Sequence, residues 1–335
     1  MRPTASVVFI AALALGAAAS PSAGDALHTA MDAPQHISYV GEIQVTRFGT
    51  QRSEAAIYRI EHRAPNLTRR WYLAPQDLYG DSIISRGEET FSIDVKRDRV
   101  VVAQDDAIDD QVAEDDNFGV LNSNYTSTFA PDDSVDGHLC HVILLTNRYT
   151  GETTLRVFQD ARTGLVLEKE LYSGNGSVIA ETRFLQLRYV NAIPMGIFEV
   201  PKGLRRVDGP ARSLPSNDLK HVIATAGFRA MGPKYLPEGF TPIEGDVIEI
   251  KGVRTLHLLY SDGIRTVSLF QNQHAAAVDF SHFRVNDTKI ADHDGEYVEE
   301  GATTLVAWSD TDLHYTLVGE LSLRELEKIG ASVAP

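Results

Sequence analysis

A single cysteine, Cys140, is all that the 335 residues offer, so no intramolecular disulfide can staple the chain. Cys140 also stands far from the N-terminus, which excludes a lipid anchor on an N-terminal cysteine. Positive charge is scarce: 31 Lys and Arg stand against 46 Asp and Glu, a formal net charge of -15. A surface of that sign repels phosphate backbones and argues against nucleic acid as a direct ligand. After the first residues no run approaches the roughly 20 apolar residues that a spanning helix needs. A nucleophile elbow, a phosphate loop, a dinucleotide fingerprint and a zincin helix are all missing. The expectation is therefore a chain with no catalytic residues, no cofactor and no metal, a binder and not an enzyme.

What is present is enough apolar material, 43% of residues, for two cores, with 25 Gly and 14 Pro to break the elements between them. Arg2, the apolar run Val7 to Ala19 and the small residues Ser20, Ser22, Ala23 and Gly24 read as a secretory signal over 1–24, cut between Ala19 and Gly24. The mature chain is then expected in the periplasm, soluble.

Strand-length runs with period-two patterning follow, such as Tyr39, Gly41, Ile43 and Val45. Strands are expected near 37–48, 54–63, 69–74, 82–86, 90–95 and 99–104, then near 139–148, 153–160, 165–173 and 177–190, with turns at Gly49, Gly87, Gly151, Gly164 and Gly174 to Gly176. Two antiparallel meanders over 25–200 imply a large curved sheet, an unclosed barrel. Between them Asp105 to Asp116 carries seven acidic residues and no basic one, a solvated loop without the Gly or spaced ligands of a calcium site. Phe118 to Tyr125 is expected as a short helix or lid.

Pro201, Gly203, Gly209, Pro210 and Pro215 mark a linker at 201–216, and with a short helix at Asn217 to Ala226 it extends over 201–230. Residues 231–335 read as a smaller α+β unit, with strands near 245–251, 254–261, 264–271, 302–308 and 313–319. Ser322 and Glu325 would form a capping box on a closing helix.

The candidate sites are binding surfaces. Trp71, Tyr72, Phe91, Phe118 and Tyr125 could line an apolar cavity inside an unclosed barrel, although core packing is their ordinary role. Arg205, Arg206 and Arg212 in the linker, with Tyr260 and Arg265 flanking a tight Asp262-Gly263 hairpin, are candidate partner contacts. His138, Cys140 and His141 offer two same-face ligands in a strand, short of the four of a closed zinc site, so Cys140 reads as a small buried hydrophobe.

Tyr39-Val40-Gly41-Glu42, Arg47-Phe48-Gly49, Glu61-His62-Arg63, Asp136 to Ile143, Val157-Phe158-Gln159-Asp160, Tyr235 to Phe240, Leu259 to Gly263, Val267 to Phe270 and Val318 to Leu321 occur in this order. Together they resemble the RseB/MucB family over nearly the whole mature chain; Arg69 to Leu73 fits its pattern only loosely, and the acidic loop departs from it. The resemblance implies an N-terminal domain shaped like the carriers LolA and LolB, with helices plugging its mouth, and a C-terminal domain that contacts the periplasmic part of a membrane anti-sigma factor. It further implies protection of that factor from proteolysis, with release by a lipid, lipopolysaccharide or lipoprotein, and it is compatible with a homo-oligomer. A LolA-type carrier is the alternative, although a plain carrier has no need of residues 231–335.

Overall fold

The computed structural model describes residues 21–49, 53–87, 89–104, 115–209, 213–250, 252–273 and 284–333. The expected signal run Val7 to Ala19, residues 105–114 of the acidic loop and Arg212 lie outside them. Among the described residues no helix is long and apolar enough to cross a membrane.

The first helix, α1 (Ala23–His36), opens with a capping box: Ser22 Oγ accepts from the Asp25 amide, and the Asp25 carboxylate accepts from the Ser22 amide. Ala23, Ala26, Leu27, Ala30 and Ala33 recur at helical spacing and are buried. Six strands follow: β1 (Tyr39–Arg47), β2 (Glu54–Arg63), β3 (Leu67–Ala74), β4 (Ser82–Arg86), β5 (Glu89–Asp94) and β6 (Arg99–Gln104). Next come α2 (Asp115–Asn124), β7 (Tyr125–Val135), β8 (His138–Asn147), β9 (Thr153–Asp160), β10 (Val166–Tyr172), β11 (Val178–Tyr189) and the short β12 (Arg205–Asp208).

The two expected meanders are not separate sheets. They join edge to edge through the antiparallel β1–β11 pair into one sheet of 12 strands, in the order β12-β6-β5-β4-β3-β2-β1-β11-β10-β9-β8-β7. Gly41 sits on that seam, where an added Cβ would fall 2.3 Å from the Gln186 carbonyl oxygen. The order is linear, so the sheet curls without closing on itself.

Two strands of this sheet had no sequence expectation, and neither did Asn286–Ile290 and His293–Glu300 of the second sheet. β7 reads Thr-Ser-Thr-Phe-Ala-Pro-Asp-Asp-Ser, too polar for an alternating pattern, because it is an edge paired only with β8 and interrupted around Pro131. Within the segment read as linker, Arg205–Asp208 runs parallel to β6 and forms the opposite edge.

The second sheet is wholly antiparallel: β13 (Thr241–Ile250), β14 (Val253–Ser261), β15 (Thr266–Asn272), β16 (Asn286–Ile290), β17 (His293–Glu300), β18 (Thr303–Ser309) and β19 (His314–Gly319), in the order β13-β14-β15-β19-β18-β17-β16. Helices α3 (Leu219–Thr225) and α4 (Leu323–Ser332) cover one face. There Leu256, Leu258, Leu269, Val306 and Leu317, from alternate strand positions, meet Val222, Leu326 and Ile329. Each such fully buried aliphatic contributes roughly 1.5–3 kcal/mol.

Ser322 caps α4 by accepting from the Glu325 amide, but the reciprocal half of the expected box is absent. The Glu325 carboxylate instead accepts from the Tyr235 hydroxyl at 2.9 Å and from Lys328 Nζ at 2.6 Å.

Candidate ligand cavity and inter-sheet contact

A cavity of about 300 Å³ lies between α1 and the first sheet, at the small end of ligand-pocket volumes of roughly 300–1,000 Å³. Ala30, Met31, Pro34 and Gln35 of α1 form one wall; Tyr39, Ile43 and Ile60 face them from β1 and β2, and Leu167 and Phe184 from β10 and β11. Polar side chains interrupt these walls, among them the buried His62, Thr68, Arg70, Ser85 and Glu168.

His62 fastens the helix to the sheet. Pro34 carbonyl oxygen can only accept, so His62 Nε2 donates to it at 2.8 Å, which leaves Nδ1 to accept from the Thr68 hydroxyl at 2.9 Å. Burial lowers the His62 pKa, opposed by the bond to Pro34, so the neutral ring is favoured. Arg70 is buried with its guanidinium over the Tyr58 ring at 5.7 Å. Burial pushes the Glu168 carboxyl up to about 7, although Arg183 Nε, 3.4 Å away, pulls the other way. Glu168, Glu170 and Glu181 bring carboxylate oxygens within 4.8 Å of one another, with Arg156 3.5 Å from Glu170.

None of the five aromatics expected around a cavity lines this one. Trp71 is 37% exposed with Arg69 stacked over it, and Tyr72 packs edge-on against Tyr58. Phe91 belongs to a separate cluster with Ile84, Ile93 and Phe198, and Phe118 and Tyr125 pack with α2. The cavity is lined instead by aliphatics, Tyr39, Phe184 and buried polar groups. The signal for Tyr39 and Ile43 was their period-two spacing, and that for α1 was its apolar stripe.

The expected partner residues also separate. Arg205 and Arg206 are exposed on the β12 edge, as proposed contacts require. Tyr260 is 3% exposed in the core of the second sheet, and the hairpin after it is not a free surface. Asp262, fully buried, accepts on Oδ2 from the Tyr125 hydroxyl at 2.7 Å and from Arg265 Nη2 at 2.8 Å. Its Oδ1 accepts from the amides of Ile264 and Arg265. Asn124 Nδ2 donates to the carbonyls of Gly239 at 2.7 Å and Asp262 at 3.0 Å. Ile264 enters the apolar cluster of Leu27, Leu121 and Tyr125. The hairpin of the second sheet is thus docked on α2 and β7 of the first.

His138, Cys140 and His141 do not converge either. His138 Nδ1 lies 3.1 Å from Asp160 Oδ2 and His141 Nδ1 lies 3.1 Å from Asp132 Oδ1, while the Cys140 thiol is buried and donates weakly to the His138 carbonyl at 3.5 Å. A constellation that the sequence hid is Asp246, His257 and Ser268: His257 Nδ1 is 3.0 Å from Asp246 Oδ1, and Nε2 is 3.0 Å from Ser268 Oγ. The order is that of a hydrolytic triad. Ser268, however, sits mid-strand in β15 between β14 and β19, where the ladder engages the backbone amides that would have to hold an oxyanion. The trio is a cross-strand polar stack under the ring of Phe270.

The architecture defines a mainly β protein of two unclosed sheets, the first curled around a helix-capped apolar cavity and the second docked on it through the Asp262 hairpin, the turn at Gly239 and the close approach of Gly301 to Arg47. Its particular form is that of MucB. A crystal structure of MucB in complex with MucA(peri) and the complex structure of Pseudomonas aeruginosa MucA/MucB each align at a TM-score of 0.64 and 20% identity, covering 93% of this chain and 98% of the other. A further crystal structure of MucB aligns at a TM-score of 0.57 and 17% identity, covering 92% of this chain and 96% of the other. At these identities the likeness shows the fold, and it spans both sheets, as the RseB/MucB resemblance led one to expect. Residues 230–333 match a family model described as a domain of unknown function, DUF4367, which takes in the whole second sheet and α4. No curated protein matches the sequence.

Proposed function

We propose that this chain is a periplasmic regulator that binds the periplasmic part of a membrane-anchored anti-sigma factor, protects it from proteolysis, and lets go when a lipid, lipopolysaccharide or lipoprotein enters the first domain. The domains run 25–200 and 231–335, joined by 201–230. The observation that carries the reading is the two-sheet MucB fold along nearly the full chain, since two of the structures sharing it hold MucB with MucA. Support for a lipid-like ligand is the cavity itself, whose walls carry many apolar side chains from α1 and four strands. The rival, a plain lipid or lipoprotein carrier, would leave the second sheet without a task. The physical requirement for release is linkage: a ligand frees the partner only by binding the unpartnered state more tightly, and a shift from mostly bound to mostly free takes several kcal/mol of differential affinity.

The test is capture of residues 22–335 by the periplasmic portion of a single-pass anti-sigma factor from the same genome, followed by timed digestion of that portion with and without the captured chain. Binding with slowed digestion is expected, and Arg205→Glu with Arg206→Glu is expected to weaken it. Folded protein that fails to bind yet takes up acylated lipoprotein would replace this reading with the carrier.

A further inference from the structure

We propose that the cavity and the docking of the second sheet are one coupled device: filling the cavity displaces α1 and, through the apolar cluster that α1 shares with α2, undocks the Asp262 hairpin. The proposal deepens the regulatory reading above and rests on it only for the nature of the natural ligand.

The connection is continuous. One stretch of α1, Ala23, Ala26 and Leu27, packs in the cluster that holds Leu121 and Tyr125; the next turns, Ala30, Met31 and Pro34, line the cavity. Met31 does both, and so does Val166 from the sheet side. His28 of α1 meets Phe118 of α2 edge to face at 5.5 Å. Side chains three or four apart on a helix move as one surface, so a push on Met31 is felt at Leu27 and in turn at α2.

At the far end the contact has no slack. Gly263, at φ +98°, lies so close to α2 that an added Cβ would fall 2.5 Å from the Leu121 amide nitrogen. A backbone-on-backbone approach cannot follow a moving helix by a side-chain adjustment, so it stays seated or separates, and close-packed contacts of this kind behave as bistable elements. The chemistry favours reversible separation. Undocked, Asp262 keeps its Arg265 partner and its two turn amides and needs water only in place of Tyr125 and Asn124, while Ile264 is the one apolar side chain that the hairpin gives to the cluster. A hairpin contact made mainly by polar groups resembles a transient interface more than a permanent one.

The experiment perturbs both ends of the connection. Hydrogen exchange of residues 261–266 is measured by mass spectrometry in the full mature chain under four conditions: unmodified; with myristoyl lysophosphatidylglycerol below its micellar concentration; with the cavity filled by Ala30→Phe or, from the sheet side, Thr182→Phe; and with Tyr125→Phe. Coupling predicts faster exchange in the hairpin for the probe and for either filled variant, by roughly the 5–150-fold typical of allosteric effects. It also predicts that Tyr125→Phe speeds exchange unaided and shrinks the further effect of filling. Folded Ala30→Phe and Thr182→Phe proteins whose hairpin exchanges at the unmodified rate overturn the proposal, as does a probe shown by calorimetry to bind while the hairpin is unmoved. If the filled variants respond but the probe does not bind, the coupling stands and the lysophospholipid reading of the ligand falls.

Discussion

The hydroxyl of Tyr125, the first residue of β7, donates at 2.7 Å to a carboxylate oxygen of Asp262, which belongs to the other sheet. Burial and then the neighbouring Asp262 charge raise the Tyr125 pKa, so the phenol remains a donor. Tyr125→Phe removes one donor from an acceptor that keeps four others, and should cost about 1 kcal/mol in urea unfolding. Asp262→Ala strands both the Tyr125 hydroxyl and the Arg265 guanidinium, and should cost about 3 kcal/mol or more. Equal losses from the two variants would mean that the carboxylate is not the centre of the contact.

Gly263→Ala tests the same contact by shape. The φ of +98° already disfavours any side chain, and the Cβ would strike the backbone of Leu121. The expected outcome is a protein with intact circular dichroism, two separable thermal transitions and faster tryptic cleavage in the 201–230 segment, as the sheets come apart while each keeps its own core. A single unshifted transition would contradict the docking described.

Much of this frame is legible in the residues, and the exceptions have physical causes. β2, β4, β6 and β9 fall where alternation and turn chemistry put them, because each has one face on a core. β7 and β12 leave no such trace: an edge strand needs little apolar character, and Arg205–Asp208 is held by pairing to a strand about a hundred positions earlier. The aromatics fall outside the cavity because a strong apolar side chain marks burial without saying which of several clusters will take it. Asp262 is legible as a turn residue, which it is; its second task depends on the approach of β7, which no local pattern encodes.

Glu168 makes stability depend on pH. Its folded-state pKa of about 7 lies above the ordinary 4.5, so the folded chain holds a proton that the unfolded chain has released between those values. The stabilising contribution is complete below about 4.5 and is lost as pH rises through about 7. At about 1.4 kcal/mol per pH unit, the interval amounts to roughly 3 kcal/mol. Glu168→Gln, neutral throughout, should match the parent near pH 4 and exceed it by about 2–3 kcal/mol at pH 8 in paired urea titrations. Parallel curves for the two proteins would show that the carboxyl ionises as freely folded as unfolded.

For a chain exported as proposed, the N-terminal helix restricts where a leader can be trimmed. Ser22 completes a reciprocal cap with Asp25, and Ala23 is buried in the cluster of Leu27 and Leu121. A cut at Gly24, which the small residues there would admit, removes the cap and leaves a charged amine next to that cluster. Loss of such a cap costs about 1 kcal/mol, and the lost packing adds to it. Cleavage after Ala19, Ser20 or Pro21 leaves both intact. Edman sequencing or intact mass of protein recovered from the periplasm should therefore give a first residue between Ser20 and Ser22. A mature chain starting at Gly24 or later would show that α1 is seated without its first turn, and would weaken the role given to that turn in holding α2.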